Sequence, residues 1–294
     1  MDKILTQFAV MLISFFAVWF LLSRIDYLQE GDVQKFAKES EKKLSELILK
    51  SIKATNDEVE DKRIKAALDS IKSRLCEGMD LDCDKIKLHI IRSSDINAFA
   101  LPDNNMVIYT GLLDYAGNAE EVAGVMAHEI GHMQKNHVMK KLVKEIGMEM
   151  LFTIAGGDAG NDIARETAKV LSSSAFDRKQ EREADKFAVE CLAKTNIDPQ
   201  PLSNLFFRLS RKDEVPEEMA WISTHPDSKE RAAEIIKLRK EYTFTPRDIL
   251  HTPWKDVQRY LSKKQEDSDD KSDKDAEVID EEEIEVSADT TAAE

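Results

Sequence analysis

His128 and His132 stand four residues apart in "VMAHEIGHMQKNH", residues 125–137, and Glu129 directly follows the first of them. If this stretch is helical, side chains four positions apart differ by only about 40° around the axis, so both imidazoles leave one face and could share a metal ion. Glu129 then lies about 100° from His128, within reach of a water beside the ion without being a ligand itself. This H-E-x-x-H spacing points to metal-assisted hydrolysis, although by chance it arises in about one chain of this length per hundred. Two imidazoles do not complete a hydrolytic zinc site, which needs a third protein ligand and one open position. His137, about 140° to 180° from the other two on a continuous helix, is expected to serve packing or the surface.

The third ligand is expected from "DRKQEREADKFAVECLAK", residues 177–194. Its apolar stripe runs through Ala184, Phe187, Ala188, Cys191 and Leu192, which fixes the inward side of a helix. Glu181 continues that stripe one turn back, and Asp185 sits four residues further on at its edge. Glu183 shares a face with Lys179, Lys186 and Glu190 and is expected to be solvated. An inward carboxylate is costly to bury unless something compensates its charge, and a metal does so. Glu181 is therefore the expected ligand. Asp185 suits a supporting role, accepting a hydrogen bond from the free N–H of a ligand histidine.

Four segments, "HEIGH", "EREAD", "STHPDSKER" and "NAFALPDNNMVIYTGLL", together resemble the membrane-associated zinc metallopeptidase family that contains HtpX, BepA and the type I CAAX prenyl proteases. The resemblance covers residues 85 to about 260. It implies a gluzincin fold, one zinc ion per chain on His128, His132 and Glu181, Glu129 as the catalytic glutamate, and protein substrates. His225, which precedes Pro226 and Asp227 at a helix start, has a plain reading as a cap or turn residue. The resemblance implies more: in some relatives a histidine of this segment approaches the metal, either supporting the transition state or filling the open position in a resting form.

The elements that must position these groups follow from periodicity. Residues 32–75 read as two amphipathic helices, "KIKLHII" (85–91) as a half-buried strand, and "NAFALP" and "MVIYT" as short strands about the turn "PDNN". From Asn118 the pattern is helical almost to the tail, with Asn118 and Glu121 forming a capping box and one helix running to about Met150. The fold class is α+β, mostly helical, with a small sheet of three or four strands. An extended substrate would pair main chain to main chain along "NAFALP", at Asn97, Ala98 and Phe99. Such pairing suits unfolded or misassembled envelope proteins, since only a flexible chain can add a strand. A second reading is a non-hydrolytic, zinc-containing chaperone or assembly factor using the same edge.

Charge and hydropathy are concentrated at the two ends. Residues 265–294 hold fourteen acidic residues against two lysines, −12 of the formal −15. The nearly neutral remainder offers no broad basic surface, which excludes a nucleic-acid role. The tail is expected to be disordered, as a solubilising end or a docking segment for a basic partner. "ILTQFAVMLISFFAVWFLL", residues 4–22, is long enough to nearly span a bilayer. Lacking a small-x-small cleavage pattern and carrying Trp19, it reads as a retained anchor with the body outside the cytoplasm; a cleaved signal with a periplasmic product is the alternative. The single segment sets the chain apart from HtpX and the prenyl proteases. In an oxidising compartment, Cys76 and Cys83 in "CEGMDLDC" could form a short-loop disulfide. The expected division is an anchor over 1–25, a helical region over 26–78, the peptidase domain over 79–262 and the tail over 263–294.

Overall fold

Asn118 starts the helix that carries both histidines. Its side chain accepts from the Glu121 backbone N–H (2.9 Å), which caps α4 (Ala119–Gln134). The box is not reciprocal as expected: the Glu121 carboxylate reaches one residue further back, to the Gly117 N–H (2.8 Å), and pairs with both terminal nitrogens of Arg208 (2.7 Å each). Every residue of α4 from Glu121 to Met133 is buried. A helix enclosed all round must pair each polar side chain it carries.

The computed structural model describes residues 30–156, 161–211 and 220–262, with 7, 11, 12 and 14–16. The acidic tail and most of the apolar segment 4–22 lie outside the described residues. Among the described residues no helix is long and apolar enough to cross a membrane.

Among the described residues the chain around α4 is mostly helical, with one three-stranded sheet. Ahead of the sheet lie α1 (Glu30–Lys53) and α2 (Lys62–Met79). Asp61 caps α2 by accepting from Arg63 N (2.9 Å), and Asp80 closes it in a left-handed conformation. Ile64, Leu68, Ile71 and Leu75 sink into the same core as α4. Cys76 and Cys83 form a disulfide across the following turn (Cα–Cα 5.6 Å), and Cys191 is buried and free.

The sheet runs β1 (Lys87–Ile91), β3 (Asn105–Tyr109), β2 (Ala98–Leu101), with β1 parallel and β2 antiparallel to β3. The β2–β3 turn takes Asp103 and Asn104 at φ 55° and 53°, a conformation that Asp and Asn tolerate. β2 is therefore an edge strand within the sheet, yet all four of its residues are buried. α3 (Thr110–Tyr115) follows directly on β3.

The helix expected to run from Asn118 to about Met150 is two helices. α4 ends at Gln134, and α5 (His137–Gly156) restarts after Asn136 turns left-handed (φ 54°). Within α5, Gly147 leaves helical geometry (φ 79°, ψ 160°), a conformation open to glycine. Then come α6 (Asn161–Ser173), α7 (Arg178–Lys194), α8 (Gln200–Leu209), α9 (Ala220–Thr224) and α10 (Ser228–Arg239), and helical turns again over 254–262. α7 lies along α4 so closely that a Cβ at Gly131 would sit 3.1 Å from the Ala184 Cα. α10 packs on α7 and α8, closing the third side.

Candidate active site

Two helices and one turn bring four donor side chains together: His128 and His132 from α4, Glu181 from α7, and His225 from the turn between α9 and α10. One ligand atom from each lies within 4.8 Å of all the others, and all four residues are buried. His128 Nε2 is 3.0 Å from His132 Nε2 and 3.3 Å from His225 Nδ1. Glu181 oxygens lie 3.0 Å from His225 Nδ1, 3.4 Å from His132 Nε2 and 3.6 Å from His128 Nε2. A tetrahedral cation with ligands at about 2.0–2.1 Å requires neighbouring ligand atoms about 3.3 Å apart. These separations fit that requirement, and imidazole nitrogens with a carboxylate oxygen are donors that zinc accepts.

Glu129 stands beside this group. Its Oε2 accepts from the Ala100 N–H (2.8 Å), while Oε1 has no hydrogen-bond partner and faces His225 Nε2 at 3.5 Å. Burial pushes its carboxyl up to about 7, with Glu181 adding to the rise and His128 opposing it. The bond to Ala100 also ties the motif helix to the free edge of β2. Tyr109 N–H donates to Asn97 O (3.0 Å), so alternate peptide groups, those of Asn97 and Phe99, face β3. Ala98 and Ala100 therefore turn theirs to the free edge. Asn97 reaches Ser172 O through Nδ2 (3.4 Å) and leaves Oδ1 buried without a partner, while Phe99 packs edge-on against Tyr109 (5.6 Å).

Asp185 Oδ1 lies 3.0 Å from His128 Nδ1, on the side of the ring away from the donor cluster. Burial would lower His128, but the Asp185 and Glu181 carboxylates, as acceptors for its ring N–H groups, raise it to about 9. His132 lies well below the usual imidazole range, first through burial, and burial brings His225 down to about 4.

The structure adds residues that the sequence reading left out. Arg231 on α10 is 5% exposed and grips Asp185 with two nitrogens (Nε–Oδ2 2.8 Å, Nη2–Oδ1 2.6 Å). Its Nη1 makes an ion-pair contact with Glu181 Oε2 without ordinary hydrogen-bond geometry. Burial opposes ionisation of Glu181, but His225 and Arg231 hold its carboxyl well below the usual range. Arg231 lies in "STHPDSKER", six residues after His225, and no spacing within that segment signals its role. Phe176 stacks on His132 (3.9 Å between centroids) and Trp221 on His225 (4.0 Å), which fixes both ring planes. Lys141 is buried beside them, 3.3 Å from Leu171 O and 4.2 Å from the centre of the Phe176 ring; burial brings it down to about 8.

His137 corrects the helical-wheel reading. It is fully buried, with Nδ1 3.1 Å from His132 Nδ1 and Nε2 3.1 Å from Glu183 Oε2. The left-handed turn at Asn136 breaks the helix, so the angular separation computed for a continuous coil does not apply. Glu183 keeps its expected exposure, with a side chain 40% accessible, and in addition serves this histidine.

A buried helix bearing two histidines and a glutamate, joined by a carboxylate from a second helix beside a sheet edge, is the layout of a metallopeptidase. Residues 62–239 match Peptidase family M48. The chain belongs to that family of zinc-dependent metallopeptidases. It is similar to Metalloprotease LoiP of Escherichia coli, 29% identical over 164 residues, covering 54% of this chain and 64% of that protein. The mitochondrial metalloendopeptidase OMA1 of Arabidopsis thaliana is 29% identical over 145 residues, 49% of this chain and 29% of the relative. The beta-barrel assembly-enhancing protease of Escherichia coli is 24% identical over 212 residues, 66% and 42% respectively. The chain thus spans less than two thirds of the length of each of these curated relatives.

Proposed function

We propose that the chain is a zinc-dependent endopeptidase of the gluzincin arrangement that cleaves unfolded or misassembled proteins of the cell envelope. The observation that carries this reading is the convergence of His128, His132, Glu181 and His225, with Glu129 beside the cluster and not part of it. His128, His132 and Glu181 would hold the ion. His225 would supply a fourth donor at rest and yield that place to substrate. Zinc bound there supplies a Lewis acid that polarises the scissile carbonyl and acidifies water.

The chain's own residues do the rest. Glu129 Oε1, free of other partners, takes the proton of the attacking water and later delivers it to the leaving amine. Ala100 N–H holds the other oxygen, so the carboxylate cannot swing away. Substrate lies extended along Asn97, Ala98 and Phe99, bonding to the Ala98 peptide group, which β2 turns to its free edge. Asp185 keeps His128 in the tautomer that leaves Nε2 unprotonated.

The disulfide supports an oxidising compartment, in keeping with a body held outside the cytoplasm by residues 4–22 or released there after signal cleavage. The peptidase domain would span 79–262 with the helical region 26–78 before it, and the acidic tail from residue 263 would solubilise the chain or dock a basic partner. Relatives named as proteases of mitochondria and of beta-barrel assembly support protein substrates.

The test is Glu129→Gln. It should retain about one zinc per chain by metal analysis and lose casein cleavage by at least about 10²-fold. Cleavage persisting in this variant would overturn the reading, and a chaperone acting without hydrolysis would hold clients unchanged in it.

A further inference from the structure

The two histidines of the motif are backed by different partners. His128 Nδ1 meets the buried Asp185 directly at 3.0 Å. His132 Nδ1 is paired instead with His137 Nδ1 at 3.1 Å, and His137 Nε2 with Glu183 Oε2 at 3.1 Å. His137 is fully buried, while Glu183 is partly exposed and lies 3.9 Å from Lys179.

Proton counting gives this chain a direction. A neutral imidazole carries one ring proton, so a ring that presents bare Nε2 to a cation keeps its proton on Nδ1. His132 then donates to His137 Nδ1. That nitrogen must be bare, which puts the proton of His137 on Nε2, where Glu183 accepts it. One carboxylate at the surface thereby fixes the tautomer of two buried rings.

We propose that His137 and Glu183 are positioning residues for His132, a relay that orients its ring and raises its basicity as Asp185 does for His128. The proposal rests on the zinc reading above and goes beyond it by linking metal affinity to a partly exposed acid. Outer partners of ligand histidines typically govern metal affinity by about 10- to 100-fold.

Zinc affinity of the full chain, measured by competition with a chromophoric chelator, tests the relay together with the absorption bands of the cobalt(II)-substituted protein. His137→Leu should weaken zinc binding by about 10-fold or more and shift the cobalt bands. His137→Asn can place Oδ1 where Nδ1 sits and should recover most of the affinity. Glu183→Gln loses the charge-assisted bond and should weaken binding by about threefold. Glu181→Gln, run in parallel, should lose the metal. Retained zinc in Glu181→Gln overturns the metal reading and the relay with it. Loss of zinc in Glu181→Gln, with affinity and cobalt bands unchanged in His137→Leu, overturns the relay alone. Equal losses in His137→Leu and His137→Asn overturn it too, because they report packing and not an acceptor for His132.

Discussion

Arg231→Met removes the cation between two buried carboxylates while keeping most of the side-chain volume. Arg231 holds Asp185 by two hydrogen bonds (2.8 and 2.6 Å) and Glu181 by an ion-pair contact, and all three residues are at most 5% exposed. Removing one partner of a buried ion pair costs about 3–5 kcal/mol, because the remaining charge stays out of water. In a domain of roughly 150–250 residues each kcal/mol moves the melting midpoint by about 2–4 °C. The metal-free variant should therefore melt about 6–20 °C below the parent. A divalent cation brings positive charge to Glu181, so added zinc should recover part of that loss. Calorimetric scans with chelator and with zinc read both effects. Arg178→Met, at an exposed pair with Asp227 (2.9 Å), is the control and should stay within about 1 kcal/mol. A metal-free Arg231→Met protein melting within about 2 °C of the parent would refute the claim that this guanidinium neutralises the site.

Three further outcomes follow from named contacts. Gly131→Ala places a Cβ 3.1 Å from Ala184 Cα and 3.2 Å from Ala184 O, so α4 and α7 must separate slightly; stability should fall by about 1–3 kcal/mol and zinc affinity with it, since His132 and Glu181 ride on those helices. Unchanged melting and unchanged affinity would show that the helices are not in limiting contact. Cys76→Ser should cost about 2–3 kcal/mol by loosening the unfolded chain; in the parent, denaturant should expose one thiol, that of Cys191, before reduction and three after it, whereas three at the outset would disprove the disulfide. Asp61 is held down at about 2, from an ordinary 3.8, chiefly by its hydrogen bond with the Arg63 side chain. Its folded value lies below its unfolded one, so its stabilisation is present above about pH 4 and fades as the pH falls towards 2. Asp61→Asn should flatten the urea-midpoint profile over that interval, and an unaltered acid slope would count against the assignment.

Much of the fold was legible where local signals and packing agree. Asn118 has a side chain suited to capping and precedes an apolar run, and α4 starts there. "PDNN" supplies residues that tolerate the left-handed turn between β2 and β3. The stripe through Ala184, Ala188, Cys191 and Leu192 fixed the inward face of α7, and both Glu181 and Asp185 prove buried. Asn136 was harder to read. It follows Lys135 in a segment of good helix formers, and nothing local distinguishes it from a polar residue on a continuing helix. Asparagine enters the left-handed region at low cost, and the turn it makes here brings His137 beside His132.

The site divides along the same line. Within one helix, spacing specifies direction, so a pair four residues apart can be assigned to a common face from the sequence alone. Arg231 offers no such handle: 46 residues separate it from Asp185 and its approach depends on how α10 crosses α7. Electrostatics could have signalled that something was absent. Glu129, Glu181 and Asp185 bring three carboxylates into one buried cluster, and of these Glu181 and Asp185 are held low and stay charged. The buried Arg231 supplies positive charge to that pair and a planar set of donors that matches a carboxylate, which a lysine would not, and buried Lys141 adds a second cation nearby. The requirement for buried positive charge was therefore implicit in the carboxylates, while its supply by Arg231 depended on tertiary packing.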